Sequence, residues 1–172
     1  MIPQIKKILY ATDLSKNSSY TFLYAIEIAK RFDAMIVILH VIEPIPSYIY
    51  GEGSIETESV LREAKREEKN RDVEYLKVYL QKFCKKVEPQ IGPPCGELIT
   101  KILVTIGHPT EEILNVSGSE GCDAIVLGTH GKGFLKQTFL GTVAGAVLER
   151  TKKPIFIIPL PSETTTIDWD KI

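Results

Sequence analysis

The sequence predicts an α/β protein with a five-stranded parallel sheet covered by helices on both faces, a three-layer α/β/α sandwich. Three observations predict it. Five short apolar runs punctuate the chain, and they are nearly continuous in Ile, Leu and Val, as strands buried on both faces are. Segments with helical signals separate them. The resulting β-α-β-α-β-α-β-α-β order requires right-handed crossovers between parallel strands.

The elements follow in order. Ile5 to Tyr10 reads as the first strand, and Ser15 as the N-cap of the helix after it. Phe22, Leu23, Ile26 and Ala29 recur at helical spacing and form that helix's buried stripe. Met35 to Ile42 is the second strand. Glu43 to Thr57 reads as a loop from its Pro, Gly and Ser content, and Tyr48 and Tyr50 make it a candidate lid or partner contact. A charged helix runs from about Thr57 to Val87, with Val60, Leu61, Val73, Leu76 and Leu80 available to the core. Its run REAKREEKNRDVEYLK mixes both signs at i, i+4 spacing, the pattern of a solvated face. QIGPPCG is a turn and ELITKILVTIG the third strand. HPTEEILNVSGSEG is a short helix with Pro109 and two acids in its first turn. CDAIVLG is the fourth strand, TVAGAVLERTKK the fourth helix and PIFIIP the fifth strand. Residues 1–160 form one domain. The polar tail, 161–172, carries Trp169, which can dock.

Composition narrows the function classes. A net charge of -1 supplies no basic excess for a nucleic-acid backbone. No apolar run reaches membrane-spanning length and no signal-peptide core opens the chain, so no membrane role and a cytoplasmic location are expected. Cys84, Cys95 and Cys122 are widely spaced and suggest neither a disulfide framework nor a zinc ribbon. A Cys84–Cys95 bridge stays open, but reduced thiols are the expectation, with Cys122 as core. His40, inside a strand, reads as structural, and His108 closes a turn before Pro109.

The segment GTHGKGFLKQTFLGT, Gly128 to Thr142, carries the functional signal. In an open parallel sheet a ligand binds beyond the strand C-termini, where the strand order reverses. If the fourth strand packs beside the first, that crevice lies between Ala11-Thr12-Asp13 and the start of this segment. Gly128 and Gly131 allow close approach of a ligand to bare backbone, and successive N–H groups there form an anion nest. Gly141 and Thr142 fall at the start of the fourth helix, whose free N–H groups favour phosphate. His130 and Lys132 lie within reach of that charge. Phe134, Leu135, Phe139 and Leu140 are apolar enough to pack against the sheet or a partner. There is neither a G-x-x-x-x-G-K-[ST] motif nor a G-x-G-x-x-G after the first strand, and a receiver's acceptor Asp is missing after the third.

The spacing Gly128-x2-Gly131-x9-Gly141-Thr142 resembles the ATP-binding signature of the universal stress protein family, G-x2-G-x9-G-[ST]. A chain of this length meets that spacing by accident on the order of once in a hundred times. KKILYATDLS, ILHVIE, CDAIVLGTHGKG and LGTVAGAVLERTKKPIFIIP resemble family segments too, so the likeness spans about Lys6 to Pro159. The resemblance implies an adenine-nucleotide-hydrolase-type fold, strand order 3-2-1-4-5. It implies ATP or another adenine nucleotide as ligand, any Mg²⁺ being held mainly by the phosphates. Ala11, Thr12 and Asp13 would line the adenine and ribose side, although Asp13 can also serve as a turn residue. Val41 would offer its backbone to the adenine edge. Gly128, Gly131, Lys132 and Gly133, with Thr129 and His130 in the same loop, would wrap the phosphates. Gly141, Thr142 and Val143 would complete the site. The family often has Pro where this chain has Ala11. The resemblance also implies a homodimer through Ile155 to Ile158, which would cover an otherwise open apolar edge. Three functions remain open: a nucleotide-dependent switch or binding protein, a slow ATPase without a convincing general base, and a nucleotide-free dimeric interaction module.

Overall fold

The computed structural model describes residues 2–15, 17–44, 55–129 and 140–159, with the side chains of 55–57 excepted. Five parallel strands form one sheet: β1 (Lys7–Thr12), β2 (Met35–Ile42), β3 (Ile99–Ile106), β4 (Ala124–Gly128) and β5 (Ile155–Ile158). Their spatial order is β3-β2-β1-β4-β5, as expected. Four helices connect them: α1 (Ser18–Phe32), α2 (Ile55–Ile91), α3 (Pro109–Ser119) and α4 (Thr142–Arg150).

Side-chain alternation along each strand divides the core. Ile8 and Tyr10 of β1, with Ile36 and Ile38 of β2, meet Phe22, Ala25, Ile26 and Ala29 of α1 and Leu76, Leu80, Phe83 and Val87 of α2. On the other face Leu9, Val37, Leu39, Ile125 and Leu127 meet Ile113 and Val116 of α3 and Ala144 and Val147 of α4. β1 lies between β2 and β4, pairing Lys7 to Thr12 with Met35 to His40 and Ile8 to Tyr10 with Ala124 to Val126. Covered by helices on both faces, it keeps Ile8 and Leu9 completely out of water.

Several boundaries moved. β1 begins at Lys7 and runs to Thr12, two residues beyond the expected end. Helix α1 starts at Ser18 with Asn17, not Ser15, at the N-cap position. Ser15 instead closes a turn, its carbonyl accepting the Ser18 N–H at 3.0 Å. At the other end, Asp33 takes the left-handed conformation, φ 52°, which a short polar side chain tolerates. The strand expected from Glu97 opens with a 3₁₀ turn, Gly96–Leu98, before β3 starts at Ile99. Val60, expected to be available to the core, is 67% exposed, in a stretch of α2 where no side chain from 58 to 71 is buried.

The largest correction concerns the cysteines. Cys84 and Cys95 are joined in a disulfide, Cα–Cα 5.4 Å, where reduced thiols were expected. The helix runs through Pro89 to Ile91, four residues beyond its expected end, and Gly92, φ +74°, then turns the chain back. That return brings Cys95 beside Cys84, and both are buried. The Lys30 ammonium donates to the Ile91 and Gly92 carbonyls and holds the turn against α1. Cys122 is free and buried, and burial pushes its thiol pKa up.

Closing an 11-residue separation with a disulfide removes denatured-state entropy worth about 3 kcal/mol. Cys84→Ser combined with Cys95→Ser is expected to lower unfolding stability by about that amount in denaturant titrations. A midpoint unchanged both in that variant and in the wild type under reductant would show that the thiols are not joined.

Candidate functional site

The C-terminal ends of β1, β2 and β4 open into a cavity of about 620 Å³. It occupies the switch point, where the chain leaves β1 toward α1 and β4 toward α4. Helices from both layers wall it.

The β1 side is a tight turn built from its own polar side chains. Thr12 Oγ1 accepts the Leu14 N–H at 3.1 Å, and Asp13 Oδ1 accepts the Ser15 N–H at 3.0 Å. These bonds support Leu14 at φ 60°, a conformation a branched side chain rarely adopts. Leu14 tucks its side chain against the core, leaving Thr12 and Asp13 on the cavity rim. Tyr10, one residue before Ala11, donates its phenol to the Ser18 carbonyl at 2.7 Å, which fixes the start of α1.

The β4 side is laid out by backbone. Thr129 N–H donates to the Ile158 carbonyl at 2.9 Å, and the Thr129 carbonyl accepts the Gly141 N–H at 2.7 Å. Gly141 thus sits directly beside the end of β4 as the N-cap residue of α4, and among the described residues no side chain caps that helix. The first N–H groups of α4 lack intrahelical partners and carry the positive end of its dipole. Thr142, Val143 and Ala144 line the cavity at this end.

Nine of the anticipated site residues line this one cavity: Ala11, Thr12, Asp13, Val41, Gly128, Thr129, Gly141, Thr142 and Val143. His130, Gly131, Lys132 and Gly133 lie outside the described residues, as do Tyr48 and Tyr50, Phe134, Leu135, Phe139 and Trp169. Leu140 packs against the α3/α4 half of the core.

The structure adds lining residues that sequence reasoning did not select. Asn17, Ser18 and Thr21 come from the start of α1, Pro109 and Ile113 from α3, and Glu68 and Asp72 from α2. His40, expected to be structural, also lines the cavity. Its Nδ1 lies 2.8 Å from the Thr12 carbonyl and its Nε2 3.4 Å from Asp72 Oδ2. No signal in the charged α2 repeat distinguishes Glu68 and Asp72 from their neighbours. Only the packing angle of that helix selects them.

Charge is distributed unevenly around the cavity. Asp13, Glu43, Glu68 and Asp72 supply carboxylates toward β2 and α2, while the described lining contains no Lys or Arg. Among the described residues the α4 end carries no charged side chain, and its helix dipole is positive there. Among the described residues no group of His, Cys, Asp and Glu could hold a metal ion, and no helix is long and apolar enough to cross a membrane.

An open parallel sheet with an uncapped helix N-terminus at its switch point defines a class of ligand-binding α/β proteins. Within that class the chain belongs to the universal stress protein family, whose profile matches residues 4–159. Universal stress protein MJ0577 of Methanocaldococcus jannaschii is 30% identical over 164 residues, spanning 89% of this chain and 94% of that protein. Universal stress protein MJ0531 of the same organism is 31% identical over 159 residues, spanning 92% and 84%. The solved structure of MJ0577 superposes with a TM-score of 0.66 at 28% identity, covering 93% of this chain and 99% of that one. A universal stress protein solved in complex with cAMP shares the fold at 17% identity and TM-score 0.55, covering 91% and 98%.

Tyr10 makes the cavity wall sensitive to alkali. Burial pushes its phenol well above the ordinary 10.0. Below about pH 10 the phenol is neutral folded and unfolded; above it only the unfolded chain releases the proton, so folding stability falls as pH rises. Denaturant midpoints measured between about pH 9 and 11 are expected to decline less steeply for Tyr10→Phe than for the wild type. Equal slopes would remove Tyr10 from the alkaline transition.

Proposed function

We propose that the protein is an ATP-binding universal stress protein that acts as a nucleotide-dependent switch in the cytoplasm. The observation that carries this reading is convergence. Nine residues drawn from β1, β2, β4 and the start of α4 line one cavity at the switch point. The polarity of the cavity supports an orientation. Four carboxylates would repel phosphates from the β2 and α2 end, which suits base and ribose. The uncapped N-terminus of α4, with Thr142, suits the phosphates, joined by Gly128, Thr129, His130, Gly131, Lys132 and Gly133. Asp13 would accept from ribose hydroxyls, Val41 would pair its backbone with the adenine edge, and Ala11 would lie against the base. Any Mg²⁺ would ride on the phosphates. A protein of this fold holding cAMP keeps the adenine nucleotide as the shared chemistry.

ATP at a hundred times its dissociation constant is expected to stabilise the fold by about 2.7 kcal/mol, read as a raised melting temperature. Gly131→Val with Gly141→Val should abolish that shift. Gly141 has φ -66° and ψ 158°, so valine there fills space without straining the backbone. Binding that survives in this variant would place the phosphates elsewhere.

We also propose a homodimer through the β5 edge. The Pro154 and Ile158 carbonyls accept from Ile125 of β4 and from Thr129 just after it, so strand alternation turns the N–H groups of Ile155 and Ile157 to the open edge. Phe156 packs against Phe32, which is 45% exposed beside that edge. Sedimentation should show a dimer at micromolar concentration, and Ile157→Pro should yield a folded monomer, because proline removes an edge donor that β4 does not use. A wild-type monomer under those conditions would overturn the pairing.

A further inference from the structure

Helix α2 changes character at Asp72. From Leu76 onward it buries Leu76, Leu80, Phe83, Cys84 and Val87, and the disulfide anchors it further. Before Asp72, none of the side chains from 58 to 71 is buried. Yet this unburied half passes beside the cavity, and Glu68, one turn before Asp72, lines it. At the point where α2 leaves the core, Asp72 meets His40, and their side chains are 25% and 8% exposed.

That contact depends on a proton. The Thr12 carbonyl can only accept, so His40 Nδ1 carries a hydrogen and donates to it. The other nitrogen, Nε2, faces a carboxylate oxygen. A neutral ring of this tautomer would present a lone pair to that carboxylate. The contact is attractive only when Nε2, or Asp72 itself, also carries a hydrogen. The titratable side chains around this end of the cavity are Asp13 after β1, Glu43 after β2, Glu68 and Asp72 on α2, and the Tyr10 phenol donated to Ser18. The sheet neighbour of His40 on β3 is Val104, which carries no charge.

We propose that His40 is a positioning residue whose added proton bridges the end of β1 to α2, and that this bridge sets nucleotide affinity. Protonated, it holds the Thr12 carbonyl and Asp72 together and keeps the turn of α2 from Glu68 to Asp72 against the cavity. Deprotonated, it keeps Thr12 and releases Asp72, and the α2 wall loosens. Affinity therefore falls as pH rises. The coupling to affinity rests on the nucleotide reading above; the bridge does not.

NMR of the ligand-free protein between about pH 5 and 8 tests the bridge. Nδ1 should keep its hydrogen throughout, Nε2 should lose its hydrogen, and the amides of Glu68 and Asp72 should shift at the same midpoint. An Nε2–H tautomer, or α2 amides that do not follow the ring, would overturn it. Calorimetry with ATP tests the coupling over the same range. Wild-type affinity should weaken about tenfold as Nε2 loses its hydrogen, the scale of one charged hydrogen bond. Asp72→Asn should flatten that dependence, because an amide can donate to the neutral ring. Comparing the two proteins cancels the titration of the phosphates themselves, and equal slopes would overturn the coupling. His40→Asn keeps a donor for Thr12 but cannot reach Asp72, so it should show the weaker affinity at every pH. ATP that binds the wild type at no pH would refute the nucleotide reading and the coupling with it, while the NMR titration still decides the bridge.

Discussion

The pairing of β1 with β2 on one side and β4 on the other is the constraint on which the rest depends. β1 is central, so its residues are buried from both faces and its hydrogen bonds are shielded from water. Because β2 and β3 build outward on one side and β4 and β5 on the other, the connections leaving β1 and β4 part company at their C-terminal ends. A crevice results without any residue being dedicated to making one. The site is a consequence of strand order, and the side chains around it act on a gap that the topology has already opened.

The two walls of that gap are built by different means. On the β1 wall, side chains bond back to backbone: Thr12 to Leu14, Asp13 to Ser15, Tyr10 to Ser18. On the β4 wall, backbone bonds run from Ile158 through Thr129 to Gly141 and leave the start of α4 uncapped. The first wall is acidic and rigid. The second has no charged side chain among the described residues and carries a helix dipole. A ligand with one polar uncharged end and one anionic end matches this asymmetry better than a uniformly charged one. Helix α2 adds a third wall, packed on the core from Leu76 onward and meeting His40 through Asp72 at the cavity.

Much of this was legible in the residues. The near-continuous apolar runs identified all five strands; burial from both faces explains this for β1, β2 and β4, whereas the edge strands β3 and β5 are only partly buried and read through their Ile, Leu, Val and Phe residues. Gly128, Thr129, Gly141 and Thr142 were legible because close backbone approach and helix starts demand small or hydroxylated residues at set intervals. Local boundaries were less so. Ser15 has the chemistry of an N-cap, but the turn through Leu14 displaces the helix start to Ser18. The helix read as ending near Val87 continues through Pro89 to Ile91, with Phe83, Val87 and Ile91 packed on the core. The cysteine pairing was misjudged for the same reason, since it depends on where the helix ends and how Gly92 turns the chain.

By itself, the sequence determined the fold class, the strand-and-helix order and the family likeness, because periodicity and glycine spacing are properties of local chain geometry. Only the tertiary structure decided that Cys84 meets Cys95, that Val60 stays in water and that Glu68 and Asp72 of α2 line the same cavity as His40. These are meetings between segments distant along the chain. Their geometry depends on the length and packing angle of α2 against the sheet, a quantity summed over the whole core and encoded in no short stretch of residues.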